Sequence, residues 1–171
     1  QDLEELLGCS VDVVTEAATP RGRGGKSEDI TYGKGKRRCE FKRILYVLDV
    51  SGSIPAPEKQ QKEYATLLRG IPEDTLFDAL AFSLTVCPWK GFLVLSDPSS
   101  RSAAAGWIER FDGMSGTTPL SGAVRMALTD YDVDEIVLCT DGGGNTGVAG
   151  RDLFDYIQAV NVCRRVRLRG I

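Results

Sequence analysis

The run Ile44-Leu45-Tyr46-Val47-Leu48-Asp49 restricts the fold more than any other part of the chain. Its apolar residues do not alternate with polar ones, so a strand built from them must be covered on both faces. That is the condition at the centre of a parallel sheet. The run stops at an acid, and Val50-Ser51-Gly52-Ser53 follows with two spaced hydroxyls. Open α/β sheets place ligands outside the carboxyl ends of their strands, where Asp49, Ser51 and Ser53 fall. Carboxylate and hydroxyl oxygens together suit a hard divalent cation such as Mg²⁺.

The rest of the chain supplies the elements such a strand needs. Pro55 and Pro57 open a helix to about Arg69, closed by Gly70. Thr75 to Ser83 reads as a second strand, and Thr85 to Trp89 as a short edge strand, since Pro88 suits an edge. Asp97 or Ser99 caps a helix through Arg110, and Pro119 starts another to about Thr129. Glu135 to Thr140 is a strand, Asp152 to Val162 a helix and Arg165 to Arg169 a last strand. Strands separated by helices connect through right-handed crossovers. The expected fold is therefore α/β: a three-layer α/β/α sandwich around a mostly parallel sheet with a short antiparallel edge strand.

Ahead of this lies a segment of different character. Short helical patterns occupy the first twenty residues, with Leu3, Leu6 and Leu7 at helical spacing. Thr19 to Arg43 is basic, Gly-rich and poor in apolar residues, which reads as an extended arm. The chain thus divides into an N-terminal region, 1–42, and an α/β domain, 43–171. With 171 residues, 42% of them apolar, one core of this kind buries roughly 70% of the unfolded surface.

A second acid ends a second apolar strand, in Val137-Leu138-Cys139-Thr140-Asp141-Gly142. Between the two strands, Ser115-Gly116-Thr117-Thr118-Pro119-Leu120 makes a glycine turn with hydroxyls just before a helix. Each piece alone is an ordinary cap or turn. Together, in order and at the same end of their elements, they converge on one sheet edge. Two carboxylates placed there would repel, and a bound dication removes that conflict.

These motifs resemble the von Willebrand factor type A domain and its metal-ion-dependent adhesion site, over Arg43 to Ile171, about three quarters of the chain. The family pattern is Asp-x-Ser-x-Ser, then a Thr in a Gly-rich turn, then an Asp after a later strand. Asp49, Ser51, Ser53 and Asp141 match it. Gly-x-Thr-Pro-Leu aligns Thr118 as the threonine, whereas a Gly-Gly-Thr reading favours Thr117. The stretches Ser83 to Trp89 and Trp107-Ile108 are most like bacterial members. The resemblance implies a Rossmann-like fold and a protein-protein interaction module of adhesion or scaffold type. In it Asp49, Ser51, Ser53, Thr118 and Asp141 hold Mg²⁺ or Mn²⁺, and a protein partner's Asp or Glu fills the open position. The family usually continues with a further helix and strand, so a shortened sheet or a fragment is expected.

Other functions fit less well. The chain has no histidine, which excludes His-based triads and His-ligated zinc. Its five cysteines lack C-x-x-C spacing, and their odd number favours free thiols and a reducing compartment, although the family resemblance also covers extracellular proteins. A Mg²⁺-dependent hydrolase or phosphatase using Asp49 would want a second acid where Ser51 stands, so no enzyme is expected. Arg23-Gly24-Gly25-Lys26-Ser27 lacks the first glycine and the preceding strand of a phosphate-binding loop. A net charge of −3 argues against nucleic acid, and no apolar run approaches the ~20 residues of a membrane span. The basic arm, with Arg164, Arg165, Arg167 and Arg169, is the alternative contact for an acidic partner or nucleic acid.

Overall fold

The computed structural model describes residues 41–51, 57–112, 120–140 and 150–171. The short helices and most of the basic arm expected before residue 41 lie outside them. Among the described residues the elements are β1 (Lys42–Asp49), α1 (Pro57–Arg69), β2 (Thr75–Phe82), β3 (Val86–Pro88) and β4 (Val94–Leu95). They continue with α2 (Pro98–Glu109), α3 (Leu120–Asp130), β5 (Glu135–Cys139), α4 (Gly150–Arg164) and β6 (Arg167–Gly170). They build the expected three-layer α/β/α sandwich. The sheet order is β3-β2-β1-β5-β6, with β4 also on β2; β1, β2, β5 and β6 are parallel, and β3 and β4 run antiparallel to β2.

β1 takes the central position that its sequence demands. Ile44, Tyr46, Leu48 and Val50 face one layer with Phe77, Ala79 and Ala81 of β2. Tyr64, Ala65 and Leu68 of α1 and Ala104, Ala105 and Ile108 of α2 cover that face. Leu45 and Val47 face the other layer, under Ala123, Val124, Ala127 and Leu128 of α3 and Leu153 of α4. Leu45, Val47 and Leu48 have no exposed surface, so truncating Leu45 or Leu48 to Ala would cost roughly 2–5 kcal/mol. Among the described residues no helix is long and apolar enough to cross a membrane.

Several boundaries differ from the sequence reading, those of β1 and β6 most informatively. β1 begins at Lys42 rather than Ile44, so the last two basic residues of the arm belong to the sheet. Arg43 is held there by a bidentate pair with Asp134 and a contact to Asp132, which fasten the amino ends of β1 and β5 together. β6 begins at Arg167 because Arg165 has φ 55 and closes the carboxyl end of α4, its N–H donating to the Asn161 carbonyl. The Asn161 side chain then exchanges two 2.7 Å hydrogen bonds with Val166, carrying the chain into β6. For α2 the structure decides between two candidate caps: Asp97 and Ser100 form a reciprocal capping box. Two of the arginines set aside as a basic contact are also committed. Arg164 donates to the Leu128 and Tyr131 carbonyls at the carboxyl end of α3, and Arg169 pairs with Glu135 at 3.1 Å.

The edge beside β2 is an interrupted strand, of which the second half, β4, left no pattern in the sequence. The interruption is organised by Asp78, a fully buried acid in the middle of β2. Its Oδ1 accepts from the N–H groups of Ala79 and Lys90, and its Oδ2 from the Gly91 N–H and the Tyr131 hydroxyl. Gly91 sits at φ 82, a left-handed turn that glycine adopts without strain. Burial pushes the Asp78 carboxyl above its ordinary range, while the four donors pull against that rise. Pro88, lacking an N–H, blunts β3 against pairing with another chain. Asp78→Asn turns an amide N–H toward donors it cannot satisfy. It is expected to lower unfolding free energy by about 1–3 kcal/mol, measured by urea denaturation at neutral pH.

Candidate functional site

The sheet grows from β1 in opposite directions, to β2 on one side and to β5 and β6 on the other. The carboxyl ends of β1 and β5 therefore flank the switch point at which α/β sheets open a crevice. Register places Leu48 beside Cys139, so Asp49 and Thr140 emerge from the sheet as neighbours. Asp49 and Ser51 are both completely buried. The Ser51 N–H donates to Asp49 Oδ1 at 2.9 Å, and the Thr140 hydroxyl donates to Asp49 Oδ2 at 2.7 Å. Among the described residues each carboxylate oxygen thus has one oriented donor. Among the described residues no Lys or Arg forms an ion pair with Asp49.

The strand ends are also gripped from below. Tyr64 of α1 donates its hydroxyl hydrogen toward the Asp49 carbonyl at 2.9 Å, with the Cys139 carbonyl at 3.4 Å, and accepts from Gln60 Nε2 at 2.6 Å. Cys139 is a small buried thiol, and burial pushes it up to about 12. Cys87 and Cys139 are both free thiols.

Of the five expected ligands, the structure places Asp49 and Ser51 together at this edge. Ser53, Thr118 (with its alternative Thr117) and Asp141 lie outside the described residues. Among the described residues no three Cys, Asp or Glu side chains gather to hold a metal. The sequence reading missed Thr140 and Tyr64. Thr140 is an ordinary β-branched strand residue, and only its position before Asp141 set it apart. Tyr64 carries no signal at all, because a tyrosine on the apolar stripe of a helix usually serves the core. Thr140→Val keeps the shape and removes the donor to a buried carboxylate. A loss of about 1.5–3 kcal/mol in urea unfolding is expected, with Thr140→Ser recovering part of it.

No family model matches the chain. By sequence it is 32% identical over 119 residues to inter-alpha-trypsin inhibitor heavy chain H3 of Mus musculus, a match covering 62% of this chain. It is 27% identical over 123 residues to heavy chain H1 of Homo sapiens. The matched segment spans only 13% and 14% of those two proteins. Among solved structures, the von Willebrand factor type A protein from Catenulispora acidiphila superposes with a TM-score of 0.60 at 15% identity. That match covers 75% of this chain and 32% of the other. Manganese-loaded Plasmodium vivax TRAP protein gives 0.58 at 17% identity, covering 77% and 57%. The fold is that of the von Willebrand factor A module, and the sequence relatives do not single out bacterial members.

Proposed function

We propose that this chain is a metal-dependent protein-binding module. In this reading Asp49, Ser51, Ser53, Thr118 and Asp141 hold Mg²⁺ or Mn²⁺ at the carboxyl edge of the sheet, and a protein partner contributes an Asp or Glu carboxylate to the ion. The observation that carries the reading is the Asp49 carboxylate. It is fully buried at the switch point and oriented by Ser51 and Thr140, with no cationic side chain paired to it among the described residues. A buried carboxylate without countercharge is costly, and a cation at that edge offsets the cost.

Donor chemistry and chain connectivity support the same reading. All five side chains offer oxygen, the ligand type that Mg²⁺ and Mn²⁺ prefer. In sequence Asp141 directly follows Thr140, whose hydroxyl donates to Asp49. One protein of the same fold is manganese-loaded. When bound, the ion supplies an electrophilic centre for a carboxylate. The chain's own groups fix where the ion would sit: Ser51 and Thr140 hold the plane of the Asp49 carboxylate, and the apolar layers beneath exclude water.

A binding role suits these residues better than a reaction. The chain has no histidine base, and Ser51 stands where phosphoryl chemistry on Asp49 would want a second acid. The free thiols of Cys87 and Cys139 are in keeping with a reducing compartment. Thermal unfolding tests the proposal. Mn²⁺ at a hundredfold excess over its Kd adds about 2.7 kcal/mol, roughly 5–10 °C in Tm for a domain of this size. EDTA is expected to reverse the shift and Asp49→Ala to abolish it. Identical melting of the wild type in Mn²⁺, Mg²⁺ and EDTA would sink the metal reading, and release of phosphate from generic esters, lost in Asp49→Asn, would favour an enzyme.

A further inference from the structure

Helix α1 touches, through polar groups on its buried stripe, the chain just ahead of every segment that carries a proposed ligand. Tyr64 is 7% exposed, and its hydroxyl meets the carbonyls of Asp49 and Cys139, the last residues of β1 and β5. Gln61 is 8% exposed, and its Nε2 donates at 2.6 Å to the carbonyl of Phe111. In sequence, Asp49 leads into Ser51 and Ser53, Phe111 precedes the stretch with Thr117 and Thr118, and Cys139 stands two residues before Asp141. The next turns of the same helix, Ala65 and Leu68, show the apolar packing that a helix on a sheet ordinarily uses.

Polar side chains on that stripe carry a cost. Burying an amide or a hydroxyl is unfavourable unless it is hydrogen-bonded, and an apolar residue would cover the sheet as well. These groups are bonded to carbonyls where the strands and α2 run out, the places where ladder and helix partners end. Gln60 adds a 2.6 Å hydrogen bond to the Tyr64 hydroxyl and holds its lone pair, so that the O–H points at the strand ends.

We infer that Tyr64 and Gln61 are positioning residues for the cation site: they hold the carbonyls of Asp49, Cys139 and Phe111 from beneath and link cation binding to the seating of α1. The inference rests on the proposed cation site. Neither residue touches the ion; each acts through a backbone carbonyl. Linkage is reciprocal, so whatever factor the seated helix adds to cation affinity, the cation returns to helix seating.

The test uses the full chain with Mn²⁺ as the probe. Tyr64→Phe keeps the ring in the core and removes only the hydroxyl, while Gln61→Leu removes the donor to Phe111. Each variant is expected to bind Mn²⁺ about tenfold more weakly, the low end of the range for groups that orient ligands. Each variant is expected to melt somewhat below the wild type in EDTA, because carbonyls lose a donor, and to fall further below it in Mn²⁺. In the wild type, Mn²⁺ is expected to slow hydrogen exchange along α1, and in Tyr64→Phe that slowing is lost. Unchanged Mn²⁺ affinity in both variants overturns the inference, as does an equal loss of Tm with and without Mn²⁺, the mark of a purely structural role. If Tyr64→Phe does not fold, Gln61→Leu decides the matter alone. A wild type with no Mn²⁺ response removes the cation reading itself, whereas a responding wild type with unaltered variants removes only the role given to α1.

Discussion

Burial of β1 on both faces is the constraint from which the rest of the structure follows. A strand with apolar side chains pointing both ways cannot lie at an edge or face solvent. It needs β2 and β5 as neighbours and a helical layer above and below, and the two core clusters divide its side chains between those layers. Because β5 and β2 lie on opposite sides of β1, the chain must reverse its direction of growth there. The switch point, and with it the crevice at Asp49, is a consequence of packing the most apolar strand in the middle.

Two buried acids show how the same core treats carboxylates differently. Asp78 is satisfied by four donors and serves the edge of the sheet, tying the interrupted β3–β4 strand and Tyr131 to β2. Asp49 has, among the described residues, one donor on each oxygen and stands at the carboxyl end of its strand. The first arrangement completes a carboxylate's hydrogen bonding within the fold. The second leaves acceptor capacity at an edge where α/β folds take ligands.

The elements were legible wherever apolar periodicity and punctuation agreed. The run ending at Asp49, the capped helix after Asp97 and the strand ending at Cys139 all sit where their residues indicated. What escaped notice depended on contacts between distant parts of the chain. β4 is two residues long and exists because β2 offers it a partner. Lys42 and Arg43 look like the end of a basic arm, yet acids some ninety residues away draw Arg43 into the sheet. Arg164 and Arg169 look like free charge and instead cap carbonyls and pair with Glu135.

For the site, the sequence alone determined the chemistry of the donors: a strand-end acid, spaced hydroxyls and a second strand-end acid, without histidine. Side-chain type and local spacing are covalent facts, readable in one dimension. Only the tertiary structure decided that the Thr140 hydroxyl meets Asp49, that Tyr64 bridges toward two strand ends and that Gln61 reaches Phe111. These contacts depend on parallel register and on the face α1 turns to the sheet. Register and helix rotation are fixed by packing the whole core, which no local stretch of residues encodes by itself.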